Sequence, residues 1–137
     1  MYKIAKPIDF DKPALVSKLS RLMHEFMIAD NGIGLAAPQV GIGRRIFVMK
    51  IYGQEYTCCN PEITDSSKEH IVMREGCLSF PNDVTVISRP CWIKIKYQDV
   101  QGNVIEQQLD GLAARCFQHE LDHLNGITMH DRQEQQL

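Results

Sequence analysis

Residues 118–126 read Gln-His-Glu-Leu-Asp-His-Leu-Asn-Gly. In a helix, His119 and His123 lie four residues apart and project from one face, with Glu120 beside them. Two imidazoles and a neighbouring carboxylate can hold a divalent metal and accept a proton from water, so the motif predicts a metal-dependent hydrolase. The same pattern also arises by chance in surface helices, and a third ligand elsewhere in the chain is therefore required. Gly126 stands where a left-handed cap usually ends a helix.

The preceding residues extend the same helix back to Asp110, the expected N-cap. Arg115 and Asp122 fall outside its main stripe. That stripe contains Leu112, Cys116, His119 and His123.

The overall composition excludes several functional classes. Of 137 residues, 44% are hydrophobic and 23% charged, and the formal net charge is -2, so no basic excess exists for binding nucleic acid. No apolar run approaches the roughly 20 residues that span a membrane, and the N-terminus lacks the apolar core of a signal peptide. We expect a cytoplasmic monomer with one catalytic domain over residues 1–137, of which 131–137 form a frayed polar tail.

A first helix is predicted from apolar residues that recur with a period near 3.6 between Leu15 and Met27. Asp11 is the expected cap, Pro13 fits the first turn, and Asn31-Gly32 ends the helix. His24 lies in this helix without ligand-like neighbours, and we interpret it as a solvated or core-edge histidine.

Segment 31–43 contains four glycines and the sequence Ala-Ala-Pro-Gln. It resembles a phosphate-binding loop only superficially, because no Gly-Lys-Ser/Thr follows it and a helical pattern precedes it. The alternatives are a flexible turn or a loop that another backbone approaches closely.

Short strands dominate the middle of the chain, and alternation in residues 91–97 puts Ile93, Ile95 and Tyr97 on one face of a half-buried antiparallel strand. Its partner is expected at 104–109, across a turn at 99–103. His70 is interpreted as a turn residue. Further strands are predicted at 45–51, 55–60, 71–74 and 84–88.

The five cysteines are odd in number and irregularly spaced, which favours free thiols over a disulfide framework. Cys58 and Cys59 are adjacent in a predicted strand and point to opposite faces, so core packing is expected for them. Cys77 lies between Gly76 and a turn ended by Pro81, where a thiolate can be presented to a metal. It is favoured as the third ligand over His130 and Asp131 in the short downstream tail.

Three separated motifs resemble those of the peptide deformylase family, and they occur along the chain in the same order as in that family. They are Gly-Ile-Gly-Leu-Ala-Ala-Pro-Gln at 32–39, Glu-Gly-Cys-Leu-Ser at 75–79 and Gln-His-Glu-Leu-Asp-His at 118–123. The resemblance implies an α+β fold, with small antiparallel β-sheets packed around the helix that bears the motif and an N-terminal helix. It also implies hydrolysis of the N-formyl group of N-formylmethionyl peptides, with release of formate.

By the same resemblance, Cys77, His119 and His123 hold one divalent metal, with water in the fourth position. Ferrous iron is the implied physiological ion, and zinc, nickel or cobalt can replace it in preparations. Glu120 acts as general base and acid. The Gln39 side-chain amide and the Leu78 backbone N–H support the oxyanion.

An extended substrate is expected to lie beside Ile33, Gly34 and Gly76. Because Glu75 is charged, it needs a partner, and the resemblance implies Arg89 for that role. We therefore predict a Glu75–Arg89 ion pair that braces the pocket wall. Pro38 and Arg115 occupy positions that vary within the family and are not expected to touch the chemistry. The implied methionine pocket includes Gly32, Ile33, Glu75, Leu112, Cys116 and His119.

The sequence is shorter than the family pattern at both ends, and the C-terminal helix that bacterial members use on the ribosome is not present after residue 131. Ribosome docking is therefore in doubt, and an organellar or viral origin fits a compact form. The competing functions are a catalytically silent binding domain, disfavoured by the presence of Glu120 and Gln39, and a zinc endoprotease, disfavoured by the lack of a downstream third ligand.

Overall fold

Two helices and two antiparallel sheets make up the described part of the chain, which confirms the predicted α+β class. The computed structural model describes residues 3–77, 80–128 and 131–132, and at 77 and 80–85 it describes the backbone alone. The helices are α1 (Pro13–Ala29) and α2 (Gly111–Leu124), and a short 3₁₀ helix covers Ala37–Val40. The strands are β1 (Gly34–Ala36), β2 (Ile46–Ile51), β3 (Gln54–Ser66), β4 (His70–Cys77), β5 (Phe80–Pro90), β6 (Trp92–Gln98) and β7 (Val104–Asp110).

The larger sheet has the strand order β1-β2-β3-β6-β7, and every neighbouring pair is antiparallel. β1 therefore lies at one edge, and no other described strand pairs with its outer side. β4 and β5 form a separate two-stranded sheet. The β4–β5 hairpin follows directly from β3 and leads into β6, and backbone hydrogen bonds between residues 67–69 and 91–92 join the two sheets at that end.

Helix α2 is central because it is buried on almost every side. Phe117 is fully buried and meets Phe47 of β2 edge-on, with ring centroids 5.0 Å apart. Such an aromatic pair adds about 0.5–1.5 kcal/mol to the area it buries. Polar residues of α2 are buried as well, so the helix is both a core element and the carrier of the site.

The buried face of α1 differs from the predicted stripe. Leu15, Leu22 and Phe26 are exposed, although their spacing is helical. The buried positions are Val16, Ser20, Met23 and Met27, which follow the periods i, i+4, i+7 and i+11. Lys12, not Asp11, is the N-cap residue, and Pro13 begins the helix.

Three predictions about strands and turns were wrong. β3 continues past Asn60 and Pro61, because Asn60 has a positive φ of 51° and a register shift follows Cys59. Such a bulge lets a proline remain in a strand without breaking the ladder. β1 replaces the turn or loop expected between residues 31 and 43, and His70 begins β4 instead of forming a turn.

Other features confirm the sequence pattern. Ile93, Ile95 and Tyr97 of β6 are buried, and the turn at 99–103 has Gly102 at a φ of 87°. Gly126 ends α2 with a φ of 74°. Asp110 is the N-cap residue of α2, although its side chain makes no capping hydrogen bond.

The residues after α2 fold back onto that helix. Asp131 accepts a hydrogen bond from the backbone N–H of Thr128, and the guanidinium of Arg132 lies 2.5 Å from a carboxylate oxygen of Asp122. Residues 133–137 of the expected tail lie outside the described part of the chain. No helix within the described ranges is long and apolar enough to cross a membrane.

His24 gives a pH-dependent stability that is independent of the active site. Its Nε2 lies 3.0 Å from Thr57 Oγ1 between α1 and β3, and burial lowers its pKa below 6.5 in spite of the nearby Glu55. The unfolded state then binds the proton more tightly, so unfolding free energy should fall as pH drops below about 6.5. Chemical unfolding of wild type and His24→Gln on both sides of that pH should show a smaller loss in the variant. Equal losses would contradict the assignment.

Candidate active site

A cavity of about 510 Å³ lies between α2, the β1 edge and the β4 strand. Its described lining includes every predicted substrate-binding residue, namely Gly32, Ile33, Gly34, Glu75, Gly76, Leu112 and Cys116. Gln39, His119 and Glu120 line the same space. The lining also includes Asp30, Asn31, Met73, Arg74 and Arg115, which the sequence patterns did not single out.

The two motif histidines converge at one end of the described site. The Nε2 atoms of His119 and His123 are 3.3 Å apart, and the rings meet nearly edge-on. Two nitrogen ligands at about 2.1 Å from a tetrahedral ion stand roughly 3.4 Å apart, so the observed spacing fits a shared metal.

Glu75 determines which ring nitrogen of His119 carries the proton. His119 Nδ1 lies 2.8 Å from Glu75 Oε1, and both side chains are buried. Burial raises the pKa of Glu75, but the hydrogen bonds from His119 and Arg89 and the charge of Arg89 outweigh it and lower the pKa to about 2. Glu75 is thus a carboxylate that accepts the Nδ1 proton, which leaves the Nε2 lone pair for a metal.

The predicted ion pair between Glu75 and Arg89 is present. Arg89 Nε and Nη2 lie 2.5 Å and 2.8 Å from the two carboxylate oxygens of Glu75. Arg89 Nη1 also reaches Asp122 of α2 at 2.9 Å. Arg89 therefore links both strands of the hairpin to the helix that carries the histidines.

The expectation that Arg115 lies away from the chemistry was wrong. Arg115 is only 7% exposed, lines the cavity, and places its Nε 2.6 Å from Glu75 Oε2. Asp122 is buried too, as the partner of Arg89 and Arg132. The apolar stripe did not predict the burial of either residue. Because α2 is covered on several sides, a position off the apolar face can still be buried.

The backbone of Gly34 lies very close to the Glu120 carboxylate. A Cβ atom built on Gly34 would lie 2.5 Å from Glu120 Oε2 and 2.8 Å from Cys116 Sγ. Glu120 is 4% exposed, and the Cys116 thiol donates to the Ile33 carbonyl at 3.7 Å. The absence of a side chain at Gly34 is therefore what allows β1 to approach the Glu120 carboxylate.

A backbone group three residues earlier in the same segment orients the side-chain amide of Gln39. Its Oε1 accepts a hydrogen bond from the Ala36 N–H at 2.9 Å. This bond identifies the amide oxygen, so Nε2 remains as the donor of a side chain that lines the cavity. A donor at that place is suited to a developing negative charge.

Two predicted residues fall outside the described part of the site. The backbone of Cys77 ends β4, directly after Gly76 of the cavity lining, but its side chain is outside the described atoms. Leu78 lies outside the described residues, as does His130. Asp131 is engaged with Thr128, away from the histidine pair.

Comparisons with known proteins identify a family for this chain. The family model described as Polypeptide deformylase matches residues 1–136. The peptide deformylase of Thermotoga neapolitana is 45% identical over 130 residues, covering 95% of this chain and 79% of that protein.

Solved structures give the same result. The crystal structure of peptide deformylase from Thermotoga maritima is 47% identical and superposes with a TM-score of 0.92, covering 96% of this chain and 88% of that one. A class I type b peptide deformylase from Acinetobacter baumannii, crystallised with Met-Ala-Ser bound, is 35% identical with a TM-score of 0.91, over 96% and 90% of the two chains. The chain belongs to the peptide deformylase family.

Proposed function

We propose that this cavity carries out the family's reaction, the hydrolysis of the N-formyl group from the terminal methionine of new polypeptides. A C–O bond forms between water and the formyl carbon, the C–N bond breaks, and formate and a free amine are released. The observation that carries the proposal is the pair of His119 and His123 Nε2 atoms, 3.3 Å apart, in a helix whose Glu120 lines the cavity.

Cys77, His119 and His123 would hold one divalent metal, which when bound supplies a Lewis acid and makes water acidic enough to lose a proton near neutral pH. One thiolate and two imidazoles suit zinc and iron(II) alike. We propose ferrous iron as the physiological ion, because it is what the family resemblance implies. Metal analysis of protein purified without oxygen tests that choice, and zinc alone would contradict it.

The substrate is proposed to add as a short strand along the outer edge of β1. Main-chain hydrogen bonds at Ile33 and Gly34 would hold the peptide, and the methionine side chain would enter the cavity against Leu112 and Cys116. The Acinetobacter baumannii relative, crystallised with Met-Ala-Ser bound, supports a short peptide that begins with methionine as the ligand.

Glu120 is the proposed proton carrier. Its carboxylate can take a proton from the attacking water and then give that proton to the nitrogen of the leaving amine. Gln39 Nε2 and the Leu78 backbone N–H are the proposed donors to the oxygen of the tetrahedral intermediate. Removal of one such donor typically costs about 2.7–4 kcal/mol of transition-state stabilisation.

The proposal is tested with formyl-Met-Ala-Ser and an unformylated internal peptide offered to the metal-loaded protein. We expect formate release from the first and no backbone cleavage of either. Cleavage of the internal peptide without formate release would favour an endoprotease, and binding without turnover would favour a silent domain. Because nascent chains carry the formyl group, we propose the compartment of protein synthesis as the site of action.

Gly34→Ala should reduce activity without loss of metal. The new Cβ must displace Glu120 or Cys116, and a shift of about 1 Å in a reacting group can cost about 100-fold in rate. Steady-state kinetics with formyl-Met-Ala-Ser and metal analysis measure both quantities.

Gly43→Ala is the matched control, because a Cβ at that glycine meets no other atom within 4 Å. It should retain wild-type kcat/KM. If Gly34→Ala also stays within about twofold of wild type, the close approach of β1 to Glu120 does not matter for the reaction.

A further inference from the structure

The guanidinium of Arg115 connects α2 to both strands of the hairpin. Its Nη1 donates to the Ile71 carbonyl at 2.7 Å, and its Nη2 donates to the Met73 carbonyl at 3.2 Å. Nη2 also donates to the Ile87 carbonyl of β5. With the contact from Nε to Glu75, one side chain thus engages β4 at three alternate residues and β5 at one.

These contacts matter because they hold the hairpin at a distance from its junction with the larger sheet. Backbone hydrogen bonds between residues 67–69 and 91–92 join the hairpin to β3 and β6 at its base, but beyond that point β4 and β5 pair only with each other among the described strands. Other polar links from α2 run from Asp122 to Arg89, from His119 to Glu75, and from Gln118 Nε2 to the Pro90 carbonyl at 3.3 Å. Arg115 is the link that engages the backbone of both strands.

The hairpin and the helix each contribute to the proposed metal site. β4 ends at Cys77, two residues beyond Glu75, and α2 carries His119 one helical turn after Arg115. Ligands from two separate elements must be held within about 0.5 Å of their working positions, and this requires a rigid link between the elements. Arg115 spans that gap through its contacts with Ile71, Met73 and Glu75 of β4.

We propose that Arg115 is a positioning residue that sets the distance between the Cys77 end of the hairpin and the two histidines. It also holds Glu75 Oε2, so that Oε1 of the same carboxylate is directed at His119 Nδ1. The inference rests on the proposed ligand set. It assigns to Arg115 an effect on metal affinity in addition to its contribution to stability.

Arg115→Met and Arg115→Lys test the proposal. Methionine keeps the volume and loses all donors, whereas lysine keeps the charge but cannot engage two strands and Glu75 at once. Folding is checked by circular dichroism, and cobalt(II) affinity is measured by competition with a chelator. Thiolate-to-cobalt charge-transfer absorption reports whether Cys77 still reaches the ion.

We expect both folded variants to bind cobalt about 10–100-fold more weakly than wild type, with reduced thiolate absorption. Arg21→Met, at an exposed position of α1, is the control for loss of an arginine and should match wild type. Wild-type affinity and absorption in folded Arg115 variants would overturn the proposal. So would failure of both variants to fold, since Arg115 would then serve stability alone. If wild type itself lacks the thiolate absorption, the ligand set is at fault and not the role of Arg115.

Discussion

Glu120→Ala should bind one equivalent of metal and lose nearly all hydrolysis of formyl-Met-Ala-Ser. General acid–base catalysis typically contributes about 10²–10⁴-fold, and here one carboxylate is assigned both proton transfers. Glu120 is not among the proposed ligands, so metal content should not change. We expect kcat to fall by at least about 10²-fold with little change in KM, measured by formate release under saturating metal.

Glu120→Gln keeps the shape of the side chain but cannot accept the proton, and it should be as inactive as the alanine variant. Glu106→Ala, at an exposed position of β7, controls for loss of a carboxylate and should remain fully active. Near-normal kcat in either Glu120 variant would remove this residue from the proton transfers.

Arg89→Met should have the largest effect on stability. Arg89 is 3% exposed and serves two buried carboxylates, Glu75 and Asp122. Breaking a buried ion pair from one side typically costs about 3–5 kcal/mol, because the remaining charge stays desolvated. Since Arg115 still contacts Glu75 and Arg132 still contacts Asp122, we expect a loss of about 3 kcal/mol.

Urea unfolding of the metal-free protein measures this loss, since metal binding would otherwise add to the apparent stability. Arg44→Met is the control, because Arg44 is exposed and its guanidinium donates to the adjacent Gly43 carbonyl. A loss below about 1 kcal/mol in Arg89→Met would show that the buried network contributes little to stability.

Periodic signals in the sequence predicted what periodic structures produce. The alternation at Ile93, Ile95 and Tyr97 gave a strand with the correct buried face, and the spacing of His119 and His123 gave one helical face with converging rings. Glu75 was recognised as a charge that needed a partner, the family resemblance pointed to Arg89, and Arg89 is that partner. The strand and the helical face needed only local geometry, whereas the ion pair needed the resemblance.

The failures share a physical cause, which is that burial depends on packing from distant segments. Arg115 looked peripheral because it is off the apolar stripe, yet a hairpin more than 25 residues earlier in the chain covers that side of α2 and binds its guanidinium. Leu15 and Phe26 looked like core residues, yet nothing in the described part of the chain covers their side of α1. An apolar stripe in the sequence shows the period of a helix, but it does not show how many sides of that helix other segments cover.

Backbone irregularities were also hidden from the sequence. The positive φ of Asn60 lets β3 pass through Pro61, although Asn-Pro normally indicates a turn. Segment 31–43 looked like a loop because of its glycines, but Gly34 begins an edge strand that must approach Glu120 closely. In both cases a residue type that is typical of turns occupies a position inside the sheet.

X-ray absorption at the bound metal tests the ligand set most directly. Zinc-loaded wild type should show one sulfur ligand at about 2.3 Å and two imidazole nitrogens at about 2.0–2.1 Å, with one further light atom. Cys77→Ser should lose the sulfur contribution while His119 and His123 remain. A wild-type spectrum with only nitrogen and oxygen neighbours would contradict the convergence of Cys77 with the histidine pair, and with it the proposed active site.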